Sequence, residues 1–146
     1  MSDCGTKSTT PKVLLAAGVI AALTACHYEP KVEENAVPRP EEYKEYIQDY
    51  VRNERADPTG IRDAFIATPA LRTVAPNTVR YVVCFKYTAK NDSDTRRYDR
   101  PKEIAAIFYD RRVQQYTGPT PELCGQAAYQ PFPELQKLCR EAVCPR

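Results

Sequence analysis

The sequence predicts an α+β domain: an N-terminal helix, a small antiparallel β-sheet of three to four strands, and a C-terminal helix tied by disulfides. Three observations carry this expectation. Apolar residues recur at helical spacing between residues 43 and 51, strand-forming residues are dense between 78 and 116, and helical spacing returns from Leu135 beside two cysteines.

Pro40, Glu41 and Glu42 suit a helix start, because proline is tolerated early and acids meet the positive end of the helix dipole. Tyr43, Tyr46, Ile47, Tyr50 and Val51 then follow the spacing of one helical face. Asp57-Pro58-Thr59-Gly60 ends the run in a turn. Ile61 to Thr68 reads as a short strand, with a helix as the alternative, since Pro69 follows closely. Thr78 to Tyr87 is the most strand-like stretch, dense in β-branched and aromatic residues. Lys90 to Lys102 is polar and charged, and reads as a long hairpin loop. Glu103 to Tyr109 and Val113 to Tyr116 are two further strands, joined at Asp110-Arg111-Arg112 by a tight turn without the glycine such turns prefer. Gly118-Pro119-Thr120-Pro121 stops the sheet. Pro133 and Glu134 open the last helix, with Leu135, Leu138, Cys139 and Ala142 on one face.

Ahead of this domain the N-terminus has three parts. Residues 1–12 are polar, with Lys7 and Lys12 outweighing Asp3, and Val13 to Ala25 is a run of thirteen residues without charge. A membrane span needs roughly 20 apolar residues, so this run has instead the length and flanks of a secretory signal. Leu23-Thr24-Ala25-Cys26 resembles the lipobox of bacterial lipoproteins. That resemblance implies cleavage between Ala25 and Cys26 and a diacylglycerol on the Cys26 thiol. A plain secreted protein with an incidental Cys26 is the alternative. Two or three acyl chains, at about 0.8 kcal/mol per buried methylene, would anchor the protein without further contact. His27 follows where Asp would retain such lipoproteins in the inner membrane, which points to the outer membrane, facing the periplasm. The expected organisation is a signal peptide over 1–25, the lipidated cysteine and a tether over 26–40, and one periplasmic domain over 41–146.

Residues 27–40 contain three prolines and few apolar groups, too little to offset ordering entropy, hence the tether. Of the net charge of +2, one unit belongs to the signal, so nucleic acid is not an expected partner. Cys84, Cys124, Cys139 and Cys144 remain in the domain, and an even count in an oxidising compartment reads as disulfides. Four cysteines allow three pairings. The favoured one is Cys84–Cys124 with Cys139–Cys144, and the second bond requires the last helix to end near Arg140. Zinc is the rival, but the Cys139/Cys144 spacing lacks the usual Cys-x2-Cys bite.

No residue set marks catalysis. His27, the single histidine, sits on the tether, and the acid pairs Glu33-Glu34, Glu41-Glu42 and Asp92/Asp94 have no apolar surroundings to raise their pKa. No cofactor, metal or small-molecule substrate is expected. Two features suit a partner surface: the tyrosines Tyr43, Tyr46 and Tyr50, should they be exposed, and the arginines Arg96, Arg97 and Arg100 of the long loop, with Arg111 and Arg112 expected nearby. The segments from Arg80 to Asn91 and from Pro131 to Leu135 resemble small uncharacterised lipoproteins of Gram-negative bacteria, a likeness that implies no activity. The expected role is a non-catalytic, lipid-anchored envelope protein that is structural or binds an envelope protein partner. Alternatives are an inhibitor of an envelope-directed enzyme such as lysozyme, with the loop filling a cleft, and a cell-wall hydrolase.

Overall fold

A first helix, α1 (Tyr43–Glu54), forms where the apolar spacing predicts it. Its Ile47 and Val51 are fully buried, while Glu45 in the first turn and Arg52 in the last complement the helix dipole. The structure, a computed structural model, describes residues 37–139. Val37 packs against the core and Pro40 is buried, so the fold begins a few residues before the expected end of the tether.

Six antiparallel strands follow: β1 (Arg62–Ala67), β2 (Ala70–Ala75), β3 (Thr78–Thr88), β4 (Lys102–Tyr109), β5 (Arg112–Thr117) and β6 (Tyr129–Pro131). Their order across the sheet is β5-β4-β3-β1-β6, and β2 also pairs with β3. The doubling on β3 has a simple cause. β3 has eleven residues and β1 covers only its second half, at Phe85 to Thr88, so β2 takes the first half, at Thr78 to Val82. β1 and β2 together act as one long strand broken at Thr68-Pro69, since proline cannot donate to the ladder.

Backbone exceptions fall where the sheet needs them. Asp63 (φ 49°) carries the bulge in β1 that turns Ala64 and Ile66 into the core. Asn77 (φ 59°) follows Pro76 in the two-residue turn between β2 and β3, the order a type II turn favours. Asp110 (φ 46°) and Arg111 (φ 67°) form the β4–β5 turn, both left-handed and neither glycine.

Alternation along β3 builds two layers. Tyr81, Val83, Phe85 and Tyr87 join Ile104, Ala106 and Phe108 under α1, and Phe132, Leu135 and Leu138 close the same core. Val82 and Cys84 face the other way, with Ala105, onto a smaller cluster capped by Leu123 and Cys124. There α2 (Pro121–Cys124), started by the Thr120 side chain accepting from the Leu123 N–H, is held by the Cys84–Cys124 disulfide, with Cα atoms 5.8 Å apart. Cys139 is also a disulfide cysteine. Its expected partner Cys144 lies outside the described residues, as do Ala25, Cys26 and His27.

The α+β expectation is therefore corrected: the fold is mainly β, a six-stranded antiparallel sheet rather than one of three to four strands. The expected C-terminal helix is one turn, α3 (Pro133–Gln136), and α1 is the longest helix among the described residues. Residues 129–131 pair with β1 as β6, α3 ends at its cap Lys137, and Leu135 and Leu138 reach the core from that single turn.

Candidate interaction groove

The tyrosines of α1 are half-buried, which divides their roles. Tyr46 meets Phe108 edge-on at 6.2 Å between ring centroids, and Tyr50 meets Phe85 in the same way. Tyr50 also stacks on Tyr116 of β5 at 3.8 Å, and the Tyr116 hydroxyl donates to the Tyr46 carbonyl at 3.0 Å. Tyr43 packs against the same core. One flank of each ring thus belongs to the core, and the other flank of Tyr46 and Tyr50 faces a groove.

That groove lies between α1 and β5. Tyr46, Asp49, Tyr50, Asn53 and Glu54 line its helix side at the i, i+3, i+4, i+7, i+8 spacing of one face, and Val113 and Tyr116 line its strand side, around about 560 Å³. At Tyr46 it continues into a second hollow of about 480 Å³, bounded by Pro38, Glu41, Glu42 and the turn residues Asp110, Arg111 and Arg112. The floor is aromatic and the helix rim is acidic. Burial, then the neighbouring Glu54 carboxylate, raises the pKa of Tyr50. Burial, with Asp49 and Tyr46 adding to it, pushes Tyr116 up to about 12. Both hydroxyls therefore stay protonated at neutral pH and can donate. Burial would raise the Glu54 pKa, but hydrogen bonds from Lys102 and Tyr50 outweigh it and keep the carboxylate ionised.

The arginine loop is placed differently from expectation. Arg55, at the end of α1, reaches across to the carbonyl of Lys90, donates to Asp99 at 3.0 Å and pairs with Asp92 at 3.5 Å. Lys90 in turn binds Asp57 and Thr59, each at 3.2 Å. The Tyr98 hydroxyl donates to the carbonyl of Gly60, whose φ of 70° would strain any other residue and which lies against the end of the Lys90 side chain. The loop is pinned to α1 and to the turn before β1. Arg96 and Arg97 share Asp94 and are otherwise exposed, and Arg100 is exposed as well. Arg111 and Arg112 are not their neighbours. The loop precedes β4 and the turn follows it, so the two lie at opposite ends of an eight-residue strand, about 24 Å apart along the chain axis.

The opposite face of the sheet is largely occupied by its own contacts. Lys86 lies over the rings of Phe65 and Tyr129, the Tyr129 hydroxyl donates to Glu103, and Arg80 lies over Tyr109. Among the described residues no group of three or more His, Cys, Asp or Glu side chains could hold a metal ion, and no helix is long and apolar enough to cross a membrane. No protein-family model, curated protein or solved structure matches the chain.

Sequence reasoning singled out Tyr43, Tyr46 and Tyr50 but missed Asp49, Asn53, Val113 and Tyr116. The signal was present in part: Asp49 and Asn53 sit three and seven residues beyond Tyr46, on its flank. The approach of β5 to that flank depends on the sheet order, which spacing does not reveal.

Proposed function

We propose that the chain is a non-catalytic, lipid-anchored cell-envelope protein that works as a protein-interaction module, held by lipid on Cys26 at the periplasmic face of the outer membrane. The anchor rests on the residues of the lipobox and its signal. The interaction role is supported by one observation above all: a groove with an aromatic floor and an acidic rim, set beside β5, the edge strand of the sheet among the described residues. Half-buried tyrosines are frequent anchors in protein interfaces, where a ring supplies apolar area and its hydroxyl a hydrogen bond. The pinned loop gives the groove a fixed frame by holding the end of α1 in place.

Two measurements test this reading. Cys26→Ala should leave the precursor uncut and unlabelled by palmitate; normal cleavage and release of a soluble protein would contradict the anchor. Affinity capture from detergent-solubilised membranes with the full chain should recover a discrete partner, lost with Asn53→Lys and kept with Thr73→Lys at an exposed position of β2. Equal recovery with both variants would contradict the groove.

A further inference from the structure

We infer that the groove's occupant is an extended basic peptide segment of another protein, which adds as a strand to the edge of β5. This rests on the interaction reading above and names its partner. β5 ends the sheet on its side and pairs only with β4 among the described residues, so alternate N–H and C=O groups of residues 112–117 face outward. An open edge is a template for another strand, with the backbone giving affinity and alternate side chains giving specificity.

From Val113 to Thr117 this edge carries no charge and no proline, two devices that commonly block pairing. It has one interruption. The register with β4 slips between Ile107 and Phe108, which leaves Gln114 as a bulge. A bulge disfavours long, flat pairing with a second copy of β5 and suits a short strand.

Charge selects the sign of the partner. Side chains of an added strand on the helix side would stand beside Val113 and Tyr116 and beneath Asp49. Asp49 is exposed and, among the described residues, forms its ion pair with Arg52 at the helix surface, so an incoming Lys or Arg can share it. Glu54 lines the same side of the groove, but Lys102 already pairs with its carboxylate, so Asp49 is the acid an incoming cation meets. The best-fitting occupant carries Lys or Arg at alternate positions on the helix side, where their aliphatic stems lie along Val113 and Tyr116 and their charged ends reach Asp49, with apolar residues between them. A glycan would lie on the tyrosines and leave the strand edge unpaired.

The probe is a fluorescent peptide of about ten residues alternating Val and Lys, with one Tyr, titrated against the full chain. Binding should slow amide hydrogen exchange in β5. Replacing Lys by Glu in the peptide, or Asp49→Lys in the protein, should weaken binding about tenfold or more. N-methylation of every second peptide residue, tried in both registers, should weaken binding similarly in one register by removing its edge-facing donors. Equal binding of both N-methylated peptides would overturn strand addition while leaving the groove as a contact surface. Failure of the Val-Lys peptide to bind, or self-association of the chain through β5, would overturn the inference too.

Discussion

Arg55 joins α1 to a loop more than thirty residues away, through the Lys90 carbonyl, Asp92 and Asp99. Its side chain is 10 % exposed, and among the described residues its Nε meets no partner, so there the guanidinium is held by its two terminal nitrogens. Removing it takes the counter-charge from two carboxylates, which keep only the Asn91 amide and the Ala56 N–H among the described residues, and takes a donor from the Lys90 carbonyl. Because the acids are themselves partly exposed, the expected cost of Arg55→Ala is about 2–3 kcal/mol, below that of breaking a fully buried pair. Chemical denaturation should show this loss, and amide exchange should quicken at Asn91 to Asp99. Arg55→Lys should recover little, because an ammonium cannot span the carbonyl and both acids with a planar fork. None of this was legible in the sequence. Asp92 and Asp99 read as local counter-charges for the loop's arginines, and only the tertiary fold assigns them to the helix.

Elements with a strong period were readable; short ones between prolines were not. α1, β3, β4 and β5 stand where the residue pattern places them, and β1 is the strand preferred over the helix. β2 and β6 were missed. Ala70 to Ala75 lies between Pro69 and Pro76, and the three residues of β6 end on Pro131, so neither displays an alternation long enough to recognise. The C-terminal spacing looked helical because Leu135 and Leu138, three residues apart, both reach the core from one turn. The β4–β5 turn provides a test at this scale. Asp110 and Arg111 both hold positive φ, and Asn-Gly suits that conformation better. Asp110→Asn with Arg111→Gly should stabilise the fold by about 0.5–1 kcal/mol, since native strain is relieved although glycine loosens the unfolded chain. The urea midpoint should rise; an unchanged or lower midpoint would contradict the strained-turn account.

Over the whole molecule, a disulfide and two sets of titrating groups support a sheet covered unequally on its two faces. The Cys84–Cys124 bond spans 40 residues, for which chain entropy gives about 4 kcal/mol of stabilisation. The paired Cys84→Ala, Cys124→Ala variant tests this without disturbing Cys139, and its thermal midpoint should fall steeply. Hydrogen bonds from Thr59 to Asp57, and from Asn91 and Arg55 to Asp99, hold both carboxyls below their ordinary range. The folded state therefore binds fewer protons there. The stability these groups add is complete above about pH 4 and is lost as pH falls through their folded values. Asp99→Asn should flatten that acid limb. Tyr116 moves the other way, so its contribution is complete below about pH 10 and is lost as pH rises towards its folded value of about 12.

The central claim, that the groove between α1 and β5 is where a partner sits, is tested most directly by photo-crosslinking in living cells. A crosslinking amino acid would be placed singly at four exposed positions: Asn53 lining the groove, Gln115 on the edge strand β5, Thr73 on β2 and Arg96 on the loop. The account predicts one discrete adduct from Asn53 and Gln115 and none from Thr73 or Arg96. Adducts from Thr73 or Arg96, with Asn53 and Gln115 silent, would contradict it.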